Sequence, residues 1–420
     1  MGGKQKKKMH ALSTDPIYIG TGGYTIGRVD NTIVRDTITK IPKIPGSSIA
    51  GTWRYYMALE LQGWFKKNFK AIKNVLDGNE IAVATNDIRE LVNRLADKEL
   101  NDIERTNFNK RAAKFKKYSK MIDLAKNRGC VKNEKSSCDD RQENHNWQLY
   151  WGNLISSIKC AGQDDKPNES HEYSLDFQEI SDTGHCGHCI ICKTFGFSKK
   201  NKSQQGVAFF SDLNILLFPV YTRLGVKWIT SPYILESAEI EVKFLDSNLN
   251  TEEETKSPWE KLKALLEDDT VIIVKGSNKK SNQGYINLGW LNLNAKNENI
   301  LLGIPELIGE DLWQGISGNL VIVPDSLISQ IINSNLEVRT SVSIDPLTGA
   351  AKKGALFTSE AIPRGTAFYG DIRLIERQGE DLPSIDDIDK ALLDSKKYYE
   401  CLGIGGMVTR GFGRLKMYLS

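Results

Sequence analysis

The feature that most constrains this chain is a glycine-rich segment close to its carboxyl end. Five glycines, at positions 403, 405, 406, 411 and 413, surround Arg410 and Phe412, and Arg414 closes the segment. Glycine lets the main chain approach a ligand closely and form turns that other residues avoid. A dinucleotide-binding loop would lead into a helix, but only a predicted strand, Leu415–Leu419, follows here. The segment therefore indicates either a tight hairpin or a loop that binds a polyanion. In such a loop the arginine side chains would bind phosphate groups and Phe412 would stack on a base.

A second glycine-rich segment lies near the amino end. Four glycines, at positions 20, 22, 23 and 27, follow a predicted strand at residues 10–19 and precede the β-branched run Thr32–Val34. Residues 41–46 predict a rigid turn because they contain two prolines. Ser47 or Ser48 is then expected to cap a helix, since apolar residues recur every three to four positions at Ile49, Trp53, Tyr56 and Leu59. The start of such a helix can bind an anion, and Arg54 is expected to reach the same side.

Composition sets the class of protein. With 420 residues, 40% of them hydrophobic, the chain can bury one large core. No apolar run approaches the roughly 18 residues of a membrane span, and the basic start lacks a secretory apolar core, which predicts a cytoplasmic protein with a loose basic arm. Net charge is only +3, but residues 105–135 carry eleven Lys or Arg against two acidic residues. That stretch indicates either a phosphate-facing surface or a solvated helical face.

Strands and helices alternate loosely between long polar interruptions, which favours an α+β fold with helices on one face of an antiparallel sheet. A ferredoxin-like, RNA-recognition-type sheet suits a half-solvated face that binds nucleic acid. We predict five parts: the first part of the core with its glycine-rich loop and first helix (1–64), a basic helical insertion (65–185), a zinc knuckle and return to the core (186–230), a second insertion (231–330), and a hairpin with core strands and the carboxyl-terminal loop (331–420).

A cysteine cluster predicts a metal site. Cys186, Cys189 and Cys192 stand three residues apart, a spacing that lets thiolates converge on one tetrahedral ion. An iron–sulfur cluster would require a fourth cysteine and a following proline, so structural Zn²⁺ is preferred. Cys160 is the first choice for the fourth ligand, with Cys130, Cys138, His185 and His188 as rivals. Cys401 is expected to be a buried core thiol.

Taken together, five stretches in the same order resemble the RAMP superfamily of CRISPR-associated proteins. The carboxyl-terminal loop resembles that family's glycine-rich signature, and the other four resemble parts of type III backbone subunits. These four are residues 20–23 with 26–36, residues 44–54, the zinc knuckle 189–196, and a hairpin "thumb" at 342–349 with its exit strand at 363–366. Ala50 departs from the lysine that relatives often carry. The long insertions resemble those of a type III-D-like subunit.

The resemblance implies a subunit that binds guide CRISPR RNA and packs with other subunits of a type III effector complex. It also implies cleavage of the paired target RNA at Asp30, which occupies the position of the family's catalytic aspartate. That carboxylate would either act on the attacking ribose 2′-hydroxyl or hold a divalent cation such as Mg²⁺. Three alternatives remain open. One is a turn aspartate in a scaffold that binds RNA without cutting it. Another is a guide-processing ribonuclease, which would need a histidine, and only His10 lies near the loop. The third is a zinc adaptor unrelated to CRISPR, which would leave the two glycine-rich segments unexplained.

The hairpin at residues 342–349 is interpreted as a wedge between bases or, alternatively, as a plain surface hairpin. The predicted RNA contacts are Arg28, Arg35, Lys43, Ser47, Ser48, Arg54, Lys352, Lys353, Arg364, Arg410, Phe412 and Arg414. This interpretation requires the two glycine-rich segments to share one surface.

Overall fold

The computed structural model describes residues 4–22, 29–74, 160–161, 185, 189–199, 202–245, 257–267, 269–274, 284–304, 315–376 and 383–420. The chain divides into two compact units. Unit 1 comprises residues 1–6, 50–209 and 373–396, and unit 2 comprises residues 7–49, 210–372 and 397–420. The predicted basic stretch 105–135, Arg28 and Cys186 lie outside the described residues. Among the helices that are described, none is long and apolar enough to cross a membrane.

The strands are β1 (Lys4–Ser13), β2 (Lys43–Ile44), β3 (Gly196–Lys199), β4 (Lys202–Gln205), β5 (Ala208–Phe210), β6 (Leu213–Thr222), β7 (Gly225–Thr230), β8 (Val242–Phe244), β9 (Thr270–Val274), β10 (Gly284–Leu288), β11 (Leu291–Glu298), β12 (Ile300–Leu302), β13 (Leu320–Ile322), β14 (Glu337–Ile344), β15 (Ala351–Ala361), β16 (Ala367–Ile375) and β17 (Leu415–Leu419). The helices are α1 (Gly46–Asn74), α2 (Ile190–Phe195), α3 (Pro232–Ser237), α4 (Pro258–Leu265), α5 (Asp325–Ser334), α6 (Ile385–Ser395) and α7 (Tyr398–Cys401). A 3₁₀ turn covers Val408–Arg410.

One large sheet, mostly antiparallel, dominates unit 2. Nine of its strands lie in the order β10-β11-β9-β13-β7-β6-β16-β1-β17, and β2 pairs with β6. The pairs β11–β9 and β13–β7 are parallel, whereas β1–β17, β6–β7 and β16–β6 are antiparallel. The fold is therefore a mixed α+β fold, as expected from the sequence.

The amino-terminal arm was expected to be loose, and that prediction was wrong. Residues 4–13 form β1, whose second half pairs with β17 from Met9 opposite Leu419 to Ser13 opposite Leu415. Met9 and Ala11 are fully buried, so burial of apolar side chains holds the strand in place despite its lysines. The final strand, by contrast, has the predicted bounds of Leu415–Leu419.

Helix α1 begins at Gly46, two or three residues before the start expected from a cap at Ser47 or Ser48, and its cap comes from another segment. The Gly46 N–H donates to Asp212 Oδ1 (2.7 Å), so a carboxylate just before β6 satisfies the helix start instead of a serine. The apolar periodicity is confirmed, since Ile49 and Trp53 are fully buried. Within unit 1, Trp53 Nε1 donates to Ser395 Oγ (3.1 Å), which joins α1 to α6.

Two hairpins, β3–β4 and β14–β15, lie outside the large sheet. The segment 199–205 was predicted to be a flexible break, but β3 and β4 pair there from Gly196 opposite Gln205 to Lys199 opposite Lys202. The predicted hairpin near residue 345 is confirmed as β14–β15, which we call the thumb hairpin. Its turn is stabilised by Asp345 Oδ1, which accepts from the N–H groups of Leu347 (2.8 Å) and Thr348 (3.2 Å).

Candidate functional site

The two glycine-rich segments are adjacent in unit 2. The Gly406 N–H donates to the Tyr18 carbonyl (3.1 Å), and the Gly413 N–H donates to the Pro16 carbonyl (2.9 Å). Gly405 has φ +83° and lies so close to the Tyr18 carbonyl that a side chain would collide with it. The carboxyl-terminal loop therefore lies on residues 16–18, directly before the amino-terminal glycines. This is the proximity that the sequence interpretation required.

Asp30 is exposed and is held at the thumb hairpin. Its Oδ2 accepts from both the backbone N–H of Thr358 (2.7 Å) and the hydroxyl of Thr358 (2.9 Å), while its own N–H donates to that hydroxyl (3.1 Å). The hydrogen bonds from Thr358 lower the pKa of the Asp30 carboxyl, because they stabilise its charged form. No group among the described residues donates to Oδ1. The carboxylate is thus ionised at neutral pH, with one oxygen fixed and the other available.

The chain after Asp30 is anchored to the same strand of the hairpin. Arg35 forms an ion pair with Glu360 in β15 (2.7 Å) and also donates to Asn333 Oδ1 (2.8 Å) and to the Ile33 carbonyl (3.0 Å). The Glu360 side chain is nearly buried, and it also accepts from the Ile33 N–H (3.4 Å). The guanidinium of Arg35 therefore serves to fix the segment around Asp30, and three of its contacts lie inside the protein.

Lys43 and Asp36 belong to a second internal network. Lys43 Nζ lies 2.7 Å from Asp212 Oδ2 and 3.2 Å from Asp36 Oδ2. The hydrogen bond that Lys43 donates to Asp212 is the main reason that the pKa of Lys43 is raised. Backbone N–H groups of Thr39 and Ile38 lower the pKa of Asp36 to about 2. Asp36 is a weaker catalytic candidate than Asp30 in the sequence, and a structural partnership with Arg35 is the expected alternative. The structure pairs Asp36 with Lys43 instead, while Arg35 pairs with Glu360.

The carboxyl-terminal loop also differs from expectation. Phe412 was predicted to stack on a base, yet its side chain is only 3% exposed. The guanidinium of Arg339 lies 4.6 Å from the centre of the Phe412 ring, and Tyr18 meets the ring edge-on at 6.4 Å. Phe412 is therefore an anchor of the loop, because both Arg339 and Tyr18 cover it. Arg414 forms a bidentate pair with Asp15.

The remaining predicted contacts fall into two groups. Ser47, Lys352, Arg364 and Arg410 are exposed, whereas Ser48 is half-buried. Arg28 and the side chain of Lys353 lie outside the described part of the structure. Arg54 does not join the glycine-rich segments, since its guanidinium bonds within unit 1 beside the cysteines.

Sequence reasoning missed three residues that organise the site: Thr358, Glu360 and Arg339. Arg339 NH1 donates to the Gly411 carbonyl (3.2 Å), which links β14 to the carboxyl-terminal loop. Each of these residues acts through a partner far away in the sequence, so no local pattern identified it. A charged residue on a strand that is otherwise partly buried, as at Glu360, was the available signal.

The candidate metal centre lies in unit 1. Cys160, Cys189 and Cys192 are buried, and their Sγ atoms all lie within 4.8 Å of one another. Cys160, the first choice for the fourth ligand, thus lies with Cys189 and Cys192 in one cluster. Three convergent thiols suit tetrahedral Zn²⁺, and a fourth donor would complete the set. Cys186, Cys130, Cys138 and His188 lie outside the described residues. Cys401 is exposed, contrary to expectation.

His10 does not support a guide-processing ribonuclease. It is buried in β1, and burial, reinforced by Lys8, lowers its pKa to about 4. A buried histidine that is neutral at physiological pH and lies within a paired strand is poorly placed to exchange protons with RNA.

Comparisons with known proteins agree with the sequence resemblance. A family model described as the RAMP superfamily matches residues 12–416. The CRISPR system Cmr endoribonuclease Cmr4 of Pyrococcus furiosus is 27% identical over 243 residues, which covers 54% of this chain and 75% of that protein. Similar solved structures include the apo state of a type III-B Cmr-beta complex, with 12% identity, 99% and 96% of the two chains covered and a TM-score of 0.46. Another is oligomeric Cmr4 from Pyrococcus furiosus, with 14% identity, 99% and 98% coverage and a TM-score of 0.43.

Proposed function

This chain belongs to the RAMP superfamily, and on that premise we propose that it is a guide-RNA-binding backbone subunit of a type III CRISPR effector complex. It acts in the cytoplasm, with other subunits of the complex and with a target RNA paired to the guide. The observation that carries this proposal is the exposed, ionised Asp30, fixed to the thumb hairpin in the same unit as the two joined glycine-rich segments. The sequence similarity to a protein named as a Cmr endoribonuclease supports it. The type III-D-like subdivision stays a prediction.

The guide RNA is bound through its phosphates and its shape. Arg364, Arg410, Lys352 and Ser47 are the exposed predicted contacts, and glycine main chain allows close approach of the RNA backbone. Arg35, Lys43 and Arg414 are already paired with carboxylates, so each of them would contribute to RNA binding only by sharing its charge. Arg28 and Lys353 remain proposed contacts. Arg54 and Phe412 do not bind the RNA, because their contacts lie inside the protein.

The thumb hairpin separates bases of the guide–target duplex. Leu347 at its turn is 95% exposed, and Ile344 and Leu356 are 63% and 65% exposed. Apolar side chains at an exposed tip can insert between base steps and unstack them, which costs a few kcal/mol. Thr358 of this hairpin also holds Asp30, so one element both inserts between the bases and positions the carboxylate.

Cleavage proceeds by attack of a target-strand 2′-oxygen on the adjacent phosphorus. The P–O5′ bond breaks, the 2′-hydroxyl proton passes to solvent, and the leaving 5′-oxygen takes up a proton, which leaves a 2′,3′-cyclic phosphate and a 5′-hydroxyl. The lowered pKa of Asp30 makes it a weak proton acceptor, which favours cation binding over general-base action. A Mg²⁺ ion, when bound, would neutralise charge on the scissile phosphate. Thr358 fixes the orientation of the carboxylate that would hold this ion.

The cysteine cluster holds structural Zn²⁺ through Cys160, Cys189, Cys192 and Cys186. The first three are buried and convergent, and Cys186 supplies the fourth thiolate by its spacing.

The alternative is a scaffold subunit that binds RNA without cutting it. The same two hydrogen bonds to Thr358 are what a purely structural turn aspartate would make. Asp30→Asn distinguishes the two functions, because it keeps the shape and removes the charge.

The test uses the complex reconstituted with guide RNA and its other subunits, and a labelled complementary target. Asp30→Asn is expected to reduce the cleavage rate at least about 100-fold and to leave target binding unchanged. Asp394→Asn, on α6 in unit 1, is the matched control and should cleave normally. Unchanged cleavage by Asp30→Asn would establish the scaffold role. RNA that co-purifies with the protein can also be extracted and sequenced. The absence of repeat-derived guide sequences from it would overturn the whole proposal.

A further inference from the structure

One guanidinium gathers three separate stretches of unit 1 around the cysteine cluster. Arg54, on α1, donates from Nε to the Cys160 carbonyl (2.6 Å) and from NH2 to the Gly196 carbonyl (2.7 Å). Its NH2 also lies 3.1 Å from Nδ1 of His185. Gly196 directly follows α2, the helix that carries Cys192. Arg54 is therefore bonded to Cys160, the cysteine of the cluster that lies farthest away in the sequence, and to the end of the helix that carries Cys192.

The contact with His185 fixes the proton positions on the imidazole. Arginine remains protonated in proteins and has no acceptor atom, so NH2 must donate and Nδ1 must accept. An accepting Nδ1 carries no proton, and the single proton of the neutral ring is then on Nε2. A nitrogen that binds a metal must offer a free lone pair. In this arrangement the Nδ1 lone pair is engaged by Arg54, and Nε2 carries the proton.

The positions of the ligand atoms agree with that argument. His185 is buried, only 5% exposed, and precedes Cys189 by four residues, so it is a natural rival for the metal. Within the described residues, however, the group whose ligand atoms lie within 4.8 Å of one another contains the three cysteines and leaves His185 out. His185 is thus close to the cluster while its ring is directed to Arg54.

We propose that Arg54 selects the ligands of the metal centre. It brings Cys160 into the cluster through the Cys160 carbonyl and keeps His185 out of it by engaging Nδ1. The consequence is a thiolate-rich site for a soft tetrahedral ion such as Zn²⁺, in which His185 is a positioning residue and not a ligand. This inference rests on the proposed zinc site, and it is independent of RNA cleavage.

The decisive variant is His185→Asn in the full chain, loaded with Co²⁺ as a spectroscopic substitute for Zn²⁺. The Asn side-chain oxygen lies near the place of Nδ1 and can still accept from Arg54, but it is a poor ligand for these ions. We expect an unchanged cobalt absorption spectrum and an unchanged zinc affinity in chelator competition. A changed visible spectrum with a zinc affinity at least about 10-fold weaker would identify His185 as a ligand and overturn the proposal.

Arg54→Met is the complementary variant, with Arg364→Met as a matched control on an exposed arginine in unit 2. We expect zinc affinity to fall about 10- to 100-fold in Arg54→Met, and the cobalt spectrum to acquire the signature of a nitrogen ligand as His185 is released. The double variant Arg54→Met/His185→Asn should lose that signature. An Arg54→Met protein that matches the control in both affinity and spectrum would contradict the proposal.

A second arginine variant and the metal binding of the wild-type protein distinguish failure of the zinc site from failure of the role of Arg54. If Arg54→Met does not fold, Arg54→Lys retains the charge but cannot make all three directed bonds, and it should show an intermediate loss of affinity. If the Arg54→Lys variant bound zinc as tightly as the wild-type protein does, the proposal would be contradicted. Wild-type protein that binds neither Zn²⁺ nor Co²⁺ would overturn the proposed zinc site itself, whereas binding without any effect of Arg54 would overturn only the role of the arginine.

Discussion

The Asp30 site and the cysteine cluster are organised in the same way but in opposite environments. In each, one side chain gathers groups that lie far apart in the sequence: Thr358 holds Asp30 across 328 positions, and Arg54 holds Cys160 across 106. Asp30 is exposed, whereas the three cysteines are fully buried. An exposed group can therefore change its charge at little cost to the fold, whereas a buried cluster that loses a ligand leaves buried polar groups without a partner. The first environment suits chemistry on a large substrate, and the second suits a structural metal.

The largest effect that separates the two regions is expected from Cys192→Ser. Removing a buried thiolate should abolish tight zinc binding, by about 100-fold or more, and lower the thermal midpoint by several degrees. Cys401→Ser is the control, because Cys401 is exposed and lies outside the cluster. Zinc content by elemental analysis and thermal unfolding are the measurements. Equal midpoints for the two variants would show that the cluster does not stabilise the fold.

A smaller effect is expected at the exposed site from Thr358→Val, which removes a hydroxyl and keeps the shape. Target cleavage should fall about 10-fold near neutral pH, because the carboxylate loses one of its two donors. Asp30 has a lowered pKa, so it loses its charge only as the pH falls through that value. The variant should raise this pKa toward the ordinary aspartate value of about 3.9. The acid limb of the cleavage profile should then move to higher pH.

Thr358→Ser retains the hydroxyl and should restore both the rate and the acid limb. The thermal midpoint should change little in either variant, in contrast to Cys192→Ser. A Thr358→Val protein with wild-type cleavage at every pH would show that the hairpin does not position Asp30.

The smallest effects concern the exposed arginines. Arg364→Ala and Arg410→Ala should each weaken guide-RNA binding only a few-fold, and each should reduce the slope of log affinity against log salt concentration by about one. Binding at several salt concentrations measures both quantities. Arg35→Ala is the contrasting variant, because Arg35 is bonded inside the protein. It should lower stability more than it changes the salt slope, and the opposite pattern would place Arg35 on the RNA.

Much of this organisation was readable from local patterns. Three features that depend on a few neighbouring residues were predicted correctly: the apolar periodicity of α1, the bounds of β17 and the turn at Asp345. The errors arose where a distant partner changed the environment. The lysine-rich start became β1 because β17 offered it a partner, and the start of α1 was capped by Asp212.

The roles of individual arginines and aromatics depended on tertiary contacts. Arginine and phenylalanine are residue types that often contact RNA. In this protein, however, hydrogen bonds or ion pairs to other protein groups engage Arg35, Arg54 and Arg414. Arg339 covers Phe412. A side chain has one set of hydrogen-bond donors, and whether these face a carboxylate or the solvent is decided by which strands meet.

The sequence by itself determined the family and, through that resemblance, the candidate aspartate. It also indicated the α+β class and the cysteine cluster, because helical periodicity and ligand spacing are local properties. Only the tertiary structure decided that Thr358 holds Asp30, that Arg54 donates to the Cys160 carbonyl, and that the two glycine-rich segments meet. The physical reason is that these contacts join residues more than 100 positions apart. Their formation depends on how the strands pair across the whole chain, which no short segment encodes.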